Sequence, residues 1–536
     1  MTSTDRARGR RFARTALLLA LAAVLATVIG LAVPDHDGVT RAAVRSRHSV
    51  RSTPASIAKG APAHRATPVR LPTAVLTVSP TADETSVPAS YFGLSTEYWT
   101  LPVFERNMPV FERVLSLLHV PGNGPLVLRI GGDSADHSFW APKANRMPGW
   151  AFALTPAFLQ RLRTLVRIDR VRLIVDLNLV TDTPLTAATW AHAAETSLPR
   201  GSVIGFEVGN EPDIYNRAYW VAMVSRSPLE TQPLPLELTP DSYVDDFNTY
   251  ARVLGEGAPD VPLIGPAVAH PNVSLPWIST LIDDERPELR AVSAHLYPYS
   301  ACVKPGSHAY PTIARLLSRQ ASAGLAKDVA RAVEVAHRAG LQFRLTELNS
   351  VTCGGKAGVS NTFATALWAP DALFTLMRAG VDGVNLHVRA YPANTPFTMT
   401  LRGVAPRPLF YGLMMFVRTL GPDARLVRLH LTAPRSLNLS AWAVRVRGGQ
   451  LHVLLIDKSG RSARVDLHLP ATGPATIQRL LAPAARSPSG VTLDGQQLTA
   501  DGRWTGTPRT QTIRRSRHGY ALTMPRLSAA LVAVQS

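Results

Sequence analysis

The sequence predicts an α/β protein: a (β/α)8 TIM barrel followed by a C-terminal antiparallel β-sandwich. Three observations predict it. Between residues 91 and 405, short apolar, β-branched segments alternate with longer amphipathic stretches, the pattern of parallel βαβ units. The polar residues of those segments bunch at their C-terminal ends, the face on which a closed barrel carries its active site. After about residue 406 the period shortens to apolar/polar alternation punctuated by Gly448-Gly449, Ser459-Gly460 and Asp494-Gly495, as in a sandwich.

The chain begins with Arg6, Arg8, Arg10, Arg11 and Arg14, followed by an uncharged apolar run from Thr15 to Val33. This is the basic and apolar portion of an export signal, residues 1–34. The run is close to the ~20 residues needed to span a bilayer, and Gly30-Leu31-Ala32 offers only a weak cleavage site. Both secretion and retention as a membrane anchor are therefore open, and either places the body outside the cytoplasm. Residues 35–74, rich in Pro, Ala, Ser, Thr and Arg, read as a disordered linker. Residues 1–74 carry 12 Lys and Arg against three acids, so nine of the nineteen excess positive charges lie there. The rest are dispersed without a dense basic run, and no nucleic-acid partner is expected. Hydrophobic content of 46% and charged content of 18% exclude a disordered chain.

Residues 75–90 are the N-terminal segment, in which the strand Ala74–Ser79, starting one residue earlier, is expected to add an edge strand to the sandwich. The barrel, 91–405, has eight candidate strands. Tyr91–Tyr98, Pro125–Gly131, Val171–Leu177 and Val203–Val208 are the first four; Val261–Val268, Ala291–Leu296, Gln342–Thr346 and Val381–Val388 are the others. Pro156–Ile168, Ser242–Leu254, Lys327–Ala339 and Ala364–Ala379 are helical between them. Residues 406–536 hold a last helix, Tyr411–Leu420, and the sandwich strands Ser440–Val446, Leu451–Ile456, Arg464–Leu469, Thr476–Leu481 and Ala521–Met524. This module is expected to support the barrel rather than bind a ligand.

The strand ends carry Glu97, Arg129, Asp133 and Asp136, Asp176 and Asn178, Asn210-Glu211, His295 and Tyr297, Glu347 and Asn349, and His387. Two of these form a pair. Glu211 follows the fourth strand in Gly209-Asn210-Glu211-Pro212, and Glu347 ends the seventh, 136 residues later. That spacing sets them across one barrel mouth. Two carboxyl groups ~5 Å apart are what a retaining glycosidase needs, one to protonate the leaving oxygen and one to attack the anomeric carbon. Glu207, two residues before Glu211 and deeper along the same strand, reads as a core polar group. The histidines are scattered and only two cysteines exist, so neither a metal nor a cofactor is expected.

On further motifs the chain resembles the heparanase and β-glucuronidase family of glycoside hydrolases. These are Tyr91-Phe92-Gly93-Leu94-Ser95-Thr96-Glu97-Tyr98, Leu128-Arg129-Ile130-Gly131-Gly132-Asp133-Ser134-Ala135-Asp136, Val208-Gly209-Asn210-Glu211-Pro212, His295-Leu296-Tyr297, and Thr346-Glu347 with Cys353-Gly354-Gly355 after it. The resemblance covers residues 75–536. It implies an exo-acting β-glucuronidase with Glu211 as acid/base and Glu347 as nucleophile. Asp136 and Glu97 would bind hydroxyls of the terminal sugar, Asn210 the 2-hydroxyl, and Tyr297 would orient the nucleophile. Main-chain N–H groups of Cys353, Gly354 and Gly355, with Tyr391, would grip the sugar carboxylate. Arg129 is read as orienting the nucleophile from below, and His295 and His387 as structural. Cys353 stands where relatives often have glycine. The alternatives left open are an endo-acting hydrolase of acidic polysaccharide, a neutral-sugar specificity, and a non-catalytic tethered carbohydrate-binding protein. Cys302 and Cys353 follow adjacent strands, and in an oxidising compartment they are candidates for a disulfide.

Overall fold

The computed structural model describes residues 70–535 apart from 144–146, 169–170, 216–217, 219–220, 222–237, 259, 285–286 and 401–402. The apolar run Thr15–Val33, and the linker as far as residue 69, lie outside the described residues. Among the described residues no helix is long and apolar enough to cross a membrane.

Eight parallel strands close on themselves. They are Phe92–Glu97, Val127–Gly131, Arg172–Leu177, Val203–Val208, Leu263–Val268, Leu289–Leu296, Gln342–Leu348 and Gly383–His387. The last pairs with the first, placing His387 opposite Ser95. Phe92–Glu97 and Val127–Gly131 are buried along their whole length. Such strands have side chains filling the barrel on one face and helices covering the other.

Each strand is followed by a helix: Met108–Leu118, Pro156–Ile168, Pro184–Ser197, Pro240–Gly257, Leu275–Asp283, Gln320–Arg338, Phe363–Arg378 and Pro408–Thr419 in turn. Local chemistry starts them. Thr239 and Ser242 cap Pro240–Gly257 reciprocally, each hydroxyl accepting the other's backbone N–H, and Pro240 stands where no donor is needed. The helix Pro408–Thr419, grouped by the sequence with the C-terminal module, is the eighth helix of the barrel ring. It packs on Phe363–Arg378, and every residue but Arg418 is buried because the sandwich covers its other side. Gly412 permits that approach: a Cβ there would stand 2.4 Å from the Ala366 carbonyl oxygen.

The sandwich has an eight-stranded sheet and a four-stranded sheet over a core that includes Leu76, Val453, Leu455, Val465, Leu467, Leu522 and Val532. Two features depart from the sequence reading. Thr73–Thr77 is interior rather than at an edge, paired antiparallel to His430–Thr432 and parallel to Ala463–His468. Ser528–Gln535, which the alternation did not reveal, is a central strand between Gln450–Asp457 and Ala475–Leu481. Its Ala530, Val532 and Val534 face the sandwich core while Ala529 and Leu531 face the barrel side. A strand apolar on both faces has no period-two signal.

The two parts are joined through a buried polar contact. Asp371, on the seventh helix, accepts from Trp442 Nε1 at 2.9 Å and pairs with Lys458 Nζ at 2.7 Å. Cys302 and Cys353 are disulfide-bonded, with Cα atoms 6.0 Å apart. Beside them Tyr299–Ser300 pairs with Val351–Thr352. The loops after the sixth and seventh strands are thereby tied together at the barrel mouth.

Candidate active site

The site is organised from beneath by one guanidinium. Arg129, wholly buried on the second strand, donates through Nε to Glu207 at 2.7 Å and through Nη1 to Glu347 at 2.8 Å. Its Nη2 reaches Asp176 at 2.8 Å and Asn210 Oδ1 at 3.0 Å. Inward-pointing positions on the second, third, fourth and seventh strands converge because the pleat sends alternate side chains into the barrel. Burial pushes the Asp176 carboxyl well above its ordinary range, and Arg129 opposes this.

Glu347 is buried. Its Oε1 takes Arg129, and its Oε2 takes the Tyr297 hydroxyl at 2.7 Å and His387 Nδ1 at 3.1 Å. Glu211 is more open, with its side chain 21% exposed, and shares a 2.9 Å contact with His295 Nδ1. Its backbone is left-handed, φ 49°, and its N–H donates to the Ala267 carbonyl at 3.0 Å. That bend lifts the side chain off the strand end. Carboxylate oxygens of Glu211 and Glu347 lie within 4.8 Å of each other, with His295 Nδ1 in the same set. The three atoms make a compact donor cluster, but both Glu347 oxygens are already engaged by protein donors. The separation is that of a double displacement; inversion needs roughly 6.5–9.5 Å to admit a water.

The remaining sequence-predicted residues divide. Asn210 has its oxygen fixed by Arg129, leaving its NH2 group without a partner among the described residues. Glu97 is fully buried, accepting from Ser134 N–H at 2.8 Å and meeting His387 Nε2 at 3.2 Å. Asp136 accepts the N–H groups of Leu179 and Val180 at 2.9 and 3.2 Å. Burial pushes its carboxyl up to about 7 against those donors. Cys353, Gly354 and Gly355 form a turn of three left-handed residues, φ 55°, 73° and 81°. Glycine is required at 355, where a Cβ would meet Asn394 at 2.7 Å. The Gly355 N–H closes the turn onto the Thr352 carbonyl at 3.0 Å, which leaves Cys353 and Gly354 as the donors of that turn. Tyr391 is 59% exposed and lines a separate cavity of about 390 Å³ with Val103, Arg106, Asn107, Met399 and Thr400.

No family model matches the chain. A β-glucuronidase of Aspergillus niger is 23% identical over 470 residues, covering 77% of this chain and 84% of that protein. Among solved structures, a 4-O-α-L-rhamnosyl-β-D-glucuronidase from Fusarium oxysporum superposes with a TM-score of 0.69 at 17% identity, covering 86% of this chain and all of that one. An α-L-arabinofuranosidase from Thermotoga maritima gives 0.63 at 16%, with 86% and 100% covered. The chain is thus similar in sequence to a β-glucuronidase and in fold to (β/α)8 glycosidases.

The two histidines read as structural in the sequence touch the acid pair directly. The signal was present: Asn385, His387 and Arg389 share one strand face by alternation, and so do Ser293 and His295. What hid it is that strand-end histidines are common without such a partner. Burial alone would raise the Glu347 carboxyl, but His387, His295 and Arg129 together hold it well below the usual carboxylate range. Burial likewise opposes the charge on His387, yet Glu347 and Glu97 push it up to about 9.

Below about pH 9 His387 is an imidazolium whose Nε2 donates to Glu97 and whose Nδ1 donates to the Tyr297 hydroxyl at 2.8 Å, with Glu347 ion-paired to it at 3.1 Å. Above it only one N–H remains, so either Glu97 or the Tyr297 hydroxyl loses its donor and Glu347 loses its neighbouring cation. kcat/KM is therefore expected to fall on the alkaline side near pH 9. His387→Asn is expected to lower kcat about 10- to 100-fold, the size of a hydrogen bond to a charged group. It should also abolish that alkaline limb and move the acidic limb upward, since Glu347 loses a cation. Paired pH–rate profiles check this; coincident limbs would rule it out.

Proposed function

We propose that the protein is an exo-acting β-glucuronidase that removes terminal glucuronic acid from glycans or glycoconjugates with net retention. The observation that carries the reading is the acid pair itself: carboxylate oxygens within 4.8 Å, one carboxylate buried among cations and the other partly open with a single histidine beside it. Glu347, kept ionised, attacks the anomeric carbon while Glu211 gives its proton to the departing glycosidic oxygen. A covalent glycosyl-enzyme results. Glu211, now a carboxylate, takes a proton from water as that water attacks the same carbon, and Glu347 is released.

The free NH2 group of Asn210 suits the sugar 2-hydroxyl, a contact that strengthens as oxocarbenium character grows. Tyr297 steadies Glu347 and must loosen as the ester forms. Glu97 and Asp136, both engaged by protein donors, support the wall that the ring hydroxyls meet. The N–H groups of Cys353 and Gly354 suit a carboxylate, and the Aspergillus relative is itself a β-glucuronidase. Export from the cytoplasm is part of the proposal, supported by the Arg-led apolar N-terminus and by the Cys302–Cys353 disulfide.

The test is hydrolysis of an aryl β-glucuronide followed by proton NMR, with the matching glucoside and xyloside alongside. The β-anomer is expected first, before mutarotation, and the glucuronide is expected to have the highest kcat/KM. An α-anomer first would exclude double displacement. Preference for a neutral sugar would exclude the substrate.

A further inference from the structure

We infer that Arg389 is a specificity-determining residue that receives the substrate's carboxylate, an inference that rests on the glucuronide reading above. The two donors left in the Cys353–Gly355 turn, and a Tyr391 that lines another cavity, give a thin grip on a full negative charge. A cation stands at the same place. Arg389 lies two residues beyond His387, the last residue of the eighth strand, and Glu97, Asp133, Tyr297 and Glu347 all act on its charge. Its Nη2 is 3.7 Å from where a Cβ on Gly354 would be, which sets the guanidinium beside the glycine whose N–H the turn leaves open.

The guanidinium makes no hydrogen bond among the described residues, although its side chain is only 28% exposed. Its nearest acid, Asp133, is 3.8 Å away from Nη1 and itself 63% exposed, too far for a hydrogen bond and free to turn to solvent. Burial works against the charge, but Glu97, Asp133, Tyr297 and Glu347 around it more than compensate, so it stays a cation at the mouth of the acid pair. Every other buried guanidinium or imidazolium of the site is directed at a protein carboxylate. Arg129 has Glu207, Glu347 and Asp176; His387 has Glu97 and Glu347. Arg389 alone among these keeps its planar fork of donors open, the geometry that takes a carboxylate in two parallel hydrogen bonds. In this chain that fork and the Cys353 and Gly354 N–H groups form one subsite for a uronate, with the arginine supplying the charge and the turn the remaining donors.

Arg389→Gln and Arg389→Lys, compared with the unchanged protein on aryl β-glucuronide and aryl β-glucoside, test it. The ratio of kcat/KM for glucuronide over glucoside is expected to fall about 30- to 100-fold in the glutamine variant, chiefly through KM, as one charge-assisted pair is lost. The lysine variant is expected to recover part of that ratio, since it keeps the charge and loses the fork. An unchanged ratio would overturn the inference and leave the glucuronidase reading standing. An equal loss on both substrates would also overturn it, because an arginine that only balances Glu97 and Asp133 acts on every substrate alike. Failure of the unchanged protein to prefer the glucuronide at all would instead sink the substrate reading, and this inference with it. Thermal melts of both variants guard against misfolding as the source of any loss.

Discussion

Glu347→Ala is expected to lower kcat on an aryl β-glucuronide by about 10⁵- to 10⁶-fold, the scale seen when a covalent nucleophile is removed. The size follows from how much of the site converges on this carboxylate. Arg129 and Tyr297 donate to it, His387 is ion-paired with it, and the proposed glycosyl ester forms through it. Without it the anomeric carbon has no attacking group on the face opposite Glu211. The space vacated should admit a small anion, so added azide is expected to restore part of the rate and to yield the α-glycosyl azide, with inverted configuration. Glu347→Gln, which keeps the volume and hydrogen-bonding atoms, serves as the structural control and should be as inactive. Activity of Glu347→Ala within tenfold of the unchanged protein would end the assignment of the nucleophile. Inactivity of the unchanged protein itself on every glycoside would favour a carbohydrate-binding role on the same fold.

Arg129→Met is expected to destabilise the barrel by about 3–5 kcal/mol, the cost of breaking a buried charge network from one side. The guanidinium holds Glu207, Asp176 and Glu347, with side chains 0–6% exposed. Removal leaves three carboxylates facing one another with no cation among them. One oxygen of Asp176 and one of Glu207 already have no hydrogen-bond partner, so the cluster has no reserve. A fall in Tm of roughly 4–7 °C is the corresponding thermal shift, with kcat reduced as well because Glu347 loses its orienting donor. The comparison variant is Arg331→Met, whose pair with Glu334 stands largely in solvent; its Tm should not move, since exposed pairs are screened by water and salt. Equal melting of Arg129→Met and the unchanged protein would show that the network does not hold the barrel together.

Several elements were legible before any coordinates. Val203–Val208 has the same limits in sequence and structure, because its apolar residues end abruptly at Gly209 and Asn210. The Glu211–Glu347 pair was legible because strand ends in a barrel share one rim, so two acids at the ends of its fourth and seventh strands must meet. Where the reading failed, the cause is a second face. Ser528–Gln535 lies between two apolar surfaces and lost its alternation. The helix Pro408–Thr419 closes the barrel's ring while lying under the sandwich, so its sequence position suggested the wrong neighbour.

By itself the order of residues determined that a closed barrel forms, that a sandwich follows, and which two glutamates face each other at the rim. These are periodic and local properties, set by the pleat and by strand order. Only the folded chain decided which donors are occupied and which remain open. The Gly355 N–H closes its own turn, Glu97 is shared between Ser134 and His387, and Arg389 is left with an open fork beside Gly354. Hydrogen bonds are saturable and depend on ångström-scale approach between groups far apart along the chain, so their allocation is written in three dimensions rather than in the sequence pattern.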